Sequence, residues 1–190
     1  MIAELISKNR SYRRFYQEKT LEMETLRELV NLARLSPSGR NMQPLNYVLS
    51  CTAERNEKIF ATLGWALYLK DWPGPVEGER PSAYIIILGN KEITPTFGID
   101  HGIAAQSILL GAVEKGQGGC IIATVQKKVL AQELGIPERY EILLVLALGT
   151  PREEVVVDPL GMDGDIKYWR DDEGRHHVPK RALQDLILDI

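Results

Sequence analysis

The chain has 190 residues, 44% of them hydrophobic and 26% charged, which suits one domain with a sizeable core. Its formal net charge of −3 argues against a nucleic-acid or membrane-surface partner, so any anion site must be a local cluster. Two cysteines, Cys51 and Cys120, are too few for a disulfide scaffold and are expected as buried thiols.

Residues 2–8 predict a short helix whose mixed composition is not that of a signal peptide. A second helix is expected over 22–35, because Leu26, Leu29, Val30 and Ala33 follow the i, i+3, i+4, i+7 pattern. Thr20 is its candidate N-cap, and Ser36-Pro37-Ser38-Gly39 stops it. A strand over 45–51 and a helix over 54–63 follow. Residues 71–82, with Pro73, Pro75, Pro81, Gly74 and Gly78, form a loop. The loop is placed to shape a pocket; Trp65, Tyr68 and Trp72 lie in or just before it and either stack on an aromatic ligand or, for at least one of them, sit as buried core aromatics.

Residues 83–88 are a buried strand by their aliphatic run. Residues 100–115 predict a helix apolar on nearly all sides, hence central, covered by the fold or by a partner chain. A strand over 119–124, a helix over 126–134 closed by Gly135-Ile136-Pro137, and a strand over 141–148 complete this part. Residues 152–190 change composition. They are expected to form a mostly extended arm that packs on a second subunit, with a hairpin turn at 171–174 and an amphipathic end at 182–190. No apolar run is long enough to span a bilayer, and a cytoplasmic protein is expected.

Four segments could carry chemistry. Lys8 to Phe15 holds four cations and Ser11; arginines donate in a planar fork, which suits a phosphate as well as it suits a solvated basic face. Ser36 to Pro44 gathers hydroxyls, an arginine and the amides of Asn41 and Gln43, which can read the edge of a planar heterocycle or simply connect a helix to a strand. Gly116-Gln117-Gly118-Gly119 permits close backbone approach or caps a helix, and lacks the dinucleotide fingerprint. Lys180-Arg181 adds two cations near the end. His101, His176 and His177 lack metal-ligand spacing, so no metal site is expected.

Together these segments resemble the nitroreductase-like family of FMN enzymes. The resemblance covers most of the chain. It rests on Arg10-Ser11-x-Arg13-x-Phe15, on Pro37-Ser38-x-x-Asn41-x-Gln43-Pro44, on the apolar helix running into Gly118-Gly119-Cys120, and on the closing basic pair. Leu45 departs from the family, where many members have an aromatic. The resemblance implies an α+β fold: one domain over 1–190, with a mostly antiparallel central sheet wrapped by helices, dimerised with crossing C-terminal arms. It implies FMN at the subunit interface. Arg10, Ser11 and Arg13 would hold the phosphate, the ribityl chain and the pyrimidine edge, and Lys180 and Arg181 would complete the phosphate site. Pro37, Ser38, Asn41 and Gln43 would line the flavin, with Gly118 and Gly119 near the reactive ring. The implied activity is ping-pong electron transfer from NADH or NADPH to a small acceptor such as a nitroaromatic or quinone, with no protein nucleophile or base. The alternatives are a dehydrogenase, a dehalogenase or a flavin-fragmenting enzyme on the same fold, or a protein that stores or senses FMN without turnover.

Overall fold

The computed structural model describes residues 1–190. Its centre is β2 (Ala83–Asn90), whose burial is almost unbroken along its length. Successive side chains of a strand point to opposite faces, so such a run needs cover on both. Here Ala83, Ile85 and Ile87 enter one apolar cluster, while Tyr84, Ile86 and Leu88 enter another.

The sheet around it is antiparallel throughout, in the order β1-β2-β4-β3. It comprises β1 (Leu45–Ser50), β2, β3 (Gly118–Ile122) and β4 (Tyr140–Gly149). On one face lie α2 (Met23–Leu35) and α4 (Asp100–Glu114), contributing Leu26, Leu29, Ala104, Ile108 and Ala112 to the first cluster. On the other lie α3 (Ala53–Phe60) and α5 (Lys127–Leu134), contributing Ile59 and Leu130 to the second. Each such aliphatic side chain contributes about 1.5–3 kcal/mol when fully buried. α4 lies tight against α2 because Gly111 has no Cβ: one there would sit 2.2 Å from Leu32 and 3.1 Å from Leu29.

A short helix, α1 (Ile2–Lys8), buries none of its residues and leans on α4 through Asn9, whose Nδ2 donates to Gln106 at 3.2 Å. Most predicted elements are found within a few residues of their expected bounds. The expected cap of α2 is not: Glu22 takes the N-cap position with no side-chain bond, and Thr20 lies outside the helix. Helix α5 ends as expected at Gly135, in the left-handed region at φ 63°. Cys120 is buried, but Cys51 is only half-buried at the end of β1.

The C-terminal part departs from an extended arm. Residues 152–180 fold back into a second sheet, ordered β5-β7-β6, made of β5 (Val155–Pro159), β6 (Trp169–Arg170) and β7 (His176–Lys180). The turn expected at 171–174 joins β6 to β7, and the Gly174 N–H donates to Asp171 O at 3.0 Å. These strands are short, with few apolar positions and no regular alternation, so no periodicity marks them in the sequence. Beyond β7, one 3-10 turn (Leu183–Asp185) is the only regular structure, and Leu183, Leu186, Ile187, Leu188 and Ile190 all lie exposed.

Candidate functional site

Residues 10–15 form an irregular strip along the ends of β3 and β4. Ser11 bridges Gly119 and Phe15 bridges Pro151, and the Tyr12 N–H donates to Gly119 O at 3.1 Å. The close approach that Gly118 and Gly119 permit is occupied by this strip. A Cβ at Gly118 would stand 2.5 Å from the Tyr12 ring, and one at Gly119 would stand 2.6 Å from the Ala147 carbonyl.

Two of the four cations are already matched by acids. Lys8 pairs with Glu4 at 2.8 Å on the surface. Arg14 grips Glu79 with two prongs, Nε at 2.6 Å from Oε2 and Nη2 on the other oxygen, and this holds the Glu79 carboxyl below its usual range. Arg10 and Arg13 have no such match. Arg10 Nη2 donates to Ile6 O at 3.0 Å, and its Nε is buried without a partner. Arg13 Nη1 donates to Ser11 O at 3.2 Å and lies 3.1 Å from His176 Nε2.

The strip is framed by the small second sheet. The Glu153 side chain is 0% exposed. It accepts the backbone N–H of Arg13 and, at 3.1 Å, that of Arg14, while its other oxygen accepts Arg170 Nη2 at 2.8 Å. Tyr168 lies against Arg13, with 4.7 Å from the guanidinium carbon to the ring centre, and against His176, with 5.1 Å between ring centres. His176 is fully buried, and burial together with Arg13 and Arg170 pushes its pKa down to about 4. The loop before residue 73 closes this corner: the Tyr68 ring packs tilted against Tyr168, 5.0 Å between centres, and Arg170 lies over Trp72 at 4.3 Å. Trp65 instead packs into the second core cluster.

Ser36 to Pro44 forms a tight turn with Arg40, Asn41 and Gln43 at φ 54°, 56° and 51°. Three non-glycine residues in the left-handed region mark a turn held by its surroundings. Asp100 at the start of α4 holds it, accepting Ser38 Oγ at 2.6 Å and the Gly39 N–H at 3.0 Å. Ser38 Oγ in turn accepts the Gln43 N–H at 2.9 Å, and Ser36 Oγ meets Ser107 Oγ at 2.7 Å. Ser36, Pro37, Ser38, Gln43 and Asp100 line a cavity of about 200 Å³, and Asn41 lies exposed beside it.

Within one chain the two segments do not meet. The turn is fastened to Asp100 and Ser107, whereas Asn9, just ahead of the strip, meets Gln106, and the strip packs on Gly119, whose Cβ would stand 2.7 Å from Leu109. At 3.6 residues per turn, those two pairs point to different sides of the helix, roughly 100–180° apart. Nor do Lys180 and Arg181 join the strip. His176 is the β7 residue beside Arg13, and Lys180 stands four residues on, about 13 Å along a strand. Arg181 is turned onto the carbonyl of Asp185.

Asp100, Glu153, Tyr168, Arg170 and His176 carry the site's geometry without standing out in the sequence. His176 has a faint signal, as one of an adjacent histidine pair. Glu153 has none, being one of two neighbouring glutamates in a polar stretch.

An antiparallel four-stranded sheet between two helical layers, with a cation strip on one flank of the central helix and a pinned polar turn on the other, defines a particular class of α+β protein. Residues 6–150 match the Nitroreductase family, and the chain belongs to it. A relative described as a putative NADH dehydrogenase/NAD(P)H nitroreductase, from Archaeoglobus fulgidus, is 24% identical over 149 residues, covering 74% of this chain and 80% of its own. Two solved structures share the fold. A nitroreductase family protein from Streptococcus pneumoniae has a TM-score of 0.69 at 17% identity, over 88% of this chain and 99% of its own. An FMN-dependent nitroreductase from Clostridium difficile has 0.65 at 24%, over 81% and 89%. No helix of the chain is long and apolar enough to cross a membrane.

Proposed function

We propose that this chain binds FMN and uses it to pass electrons from NADH or NADPH to a small acceptor such as a nitroaromatic or quinone. One observation carries the reading: on a strip where Lys8 and Arg14 are paired with acids, Arg10 and Arg13 are left without one, and Arg10 Nε is buried with no partner at all. Buried donors without acceptors are costly, and an anion supplied from outside relieves that cost. The donor set therefore fits a phosphate ester. The FMN-dependent relative with the same fold supports FMN as the ester.

In this reading Arg10 and Ser11 hold the phosphate and ribityl end, and Lys180 and Arg181, which stand away from the strip within one chain, take part only if the second copy supplies them. Pro37, Ser38, Asn41 and Gln43 line the ring and Arg13 faces its pyrimidine edge, while Gly118 and Gly119 serve by letting the strip that carries Arg13 lie close on β3. When bound, FMN supplies the redox chemistry, taking up a hydride equivalent and giving electrons to the acceptor. The protein contributes position and charge. A cation at the pyrimidine edge stabilises the negative charge that reduction places there, and no side chain need act as nucleophile or base.

The two flanks of α4 belong to one site only if a second copy contributes to it. Ile99, Ile103, Gln106, Leu110 and Val113 recur at spacings of four and three from the N-cap of α4 onward, a spacing that suits a helix-pairing seam, and Ile99 is 75% exposed. That seam lies on the surface between the two flanks. The apolar tail of residues 183–190 is equally uncovered and fits an arm reaching onto the same partner.

The test is purification, a visible spectrum, a mass in solution, and NADH or NADPH oxidation with a nitroaromatic or quinone. The expected result is a yellow dimer that turns over. A colourless monomer unable to take up added FMN refutes the reading. Tight flavin with no reduction by either nicotinamide would instead make this a flavin-holding protein. Arg10→Ala with Arg13→Ala is expected to abolish flavin binding and keep the fold.

A further inference from the structure

We propose that His176 is a positioning residue: as a neutral hydrogen-bond acceptor on the small C-terminal sheet, it fixes the guanidinium of Arg13 toward the flavin. The inference rests on the FMN reading above and deepens it.

Arginine is always charged and only donates. With Arg13 Nη1 3.1 Å from His176 Nε2, the ring nitrogen must therefore present its lone pair. The ring proton then sits on Nδ1, which is buried and has no partner. Nothing else on the ring accounts for that tautomer, and a protonated ring would set an N–H against the guanidinium. The charges around His176 all work against protonation: Arg13 from the N-terminal strip, Arg170 from β6, and His177 beside it in β7.

The rest of the surroundings restricts Arg13 in the same sense. Tyr168 lies against its guanidinium, Ser11 O takes a second bond from Nη1, and Glu153 holds the Arg13 and Arg14 backbone from below. No acid competes for the guanidinium, so its other N–H groups remain available. A cation tuned to one edge of a ring must be held to within a fraction of an ångström, and supports of this kind hold it. The C-terminal sheet is thus part of the cofactor site, although no residue of β6 and only the end of β7 carries a candidate flavin contact.

Two variants with two readouts test this. His176→Leu keeps the volume and removes the acceptor, while His176→Gln keeps an acceptor. The FMN dissociation constant is measured by flavin fluorescence on the refilled protein, and the flavin midpoint potential by dye equilibration. His176→Leu is expected to weaken FMN by about tenfold, the scale of one charge-assisted hydrogen bond, and to lower the midpoint potential. His176→Gln is expected to restore most of both. Equal losses in the two variants would reduce His176 to a space-filler and overturn the proposal, as would an unchanged affinity and potential in His176→Leu. Should His176→Leu fail to fold, Tyr168→Leu removes a different support of the same guanidinium and must lower the potential in the same direction. If the parent chain takes up no FMN, it is the FMN reading that has failed, which is a different result from a parent that binds while both variants match it.

Discussion

Glu153 is the residue on which attachment of the C-terminal sheet depends, and replacing it should be costly. Its carboxylate has no exposed surface and serves three donors: the Arg13 and Arg14 backbone N–H groups and Arg170 Nη2. In Glu153→Ala, Arg170 keeps a side chain only 16% exposed with no anion beside it, and two backbone donors lose their acceptor. Breaking a buried pair from one side costs about 3–5 kcal/mol. The orphaned N–H groups would add to this, but water entering the hole offsets part, so about 3–5 kcal/mol is the expected total. For a chain of this length that is a fall of roughly 6–20 °C in the unfolding midpoint. Glu153→Gln keeps an oxygen for the backbone but sets an amide against Arg170, and should lose about half as much. Urea and thermal unfolding of the apoprotein, followed by circular dichroism, measure both. Limited proteolysis should cut the variant first within exposed residues 161–167, as the sheet loosens. A loss below about 1 kcal/mol for Glu153→Ala would refute the claim that this carboxylate fastens the sheet to the strip.

Gly119→Ala should destabilise by about 1–3 kcal/mol or more in urea titrations, since its Cβ would meet Ala147 O at 2.6 Å, Leu109 at 2.7 Å and Leu148 at 2.8 Å. Asp100→Asn should loosen the 36–44 turn, at about 1–2 kcal/mol, by weakening the bonds from Ser38 Oγ and the Gly39 N–H; protection of the Gly39 amide against hydrogen exchange is the readout. His176, at about 4 in the folded chain against 6.5 ordinarily, binds its proton more readily when unfolded, so its contribution is present above pH 6.5 and is lost as pH falls toward 4. The full loss is on the order of 3 kcal/mol, and urea midpoints at several pH values should show His176→Gln flattening that acid limb. His177 works in the opposite sense: hydrogen bonds to Asp171 and Asp158 raise its pKa, so its contribution holds below its ordinary value and fades as pH rises through the raised one.

Legibility followed periodicity. The run in β2 and the 3.6-residue pattern in α2 each name a buried surface, and both are found where the patterns put them. Residues 152–180 have no such pattern. Their sheet is held by the buried carboxylate of Glu153 and by His176, and a buried acid or imidazole looks like any other in a linear sequence. The cation strip was legible as composition, but not the sorting within it. That Arg14 is committed to Glu79, 65 residues away, while Arg13 is free of acids, depends on a contact no local window contains. The pinned turn shows the same limit. Pro37, Ser38 and Asn41 were visible, while the acid that fastens them arrives from the start of α4.

These long-range contacts have a shared consequence. Each half of the candidate site is fastened to a structural element by one buried acid: the strip to the C-terminal sheet by Glu153, and the turn to α4 by Asp100. Each acid is engaged by the donors of its own segment, Glu153 by the Arg13 and Arg14 N–H groups and Asp100 by Ser38 Oγ and the Gly39 N–H. The cost of ordering these segments is therefore met when the chain folds, not when a cofactor arrives, and a ligand that binds a preordered site gains affinity by that difference. The same logic predicts which changes are separable. Substitutions at Arg10 or Arg13 should remove ligand affinity with little loss of stability, because neither is paired with an acid. Substitutions at Glu153 or Asp100 should lose both together, and the ratio of the two losses distinguishes a contact residue from a fastening one.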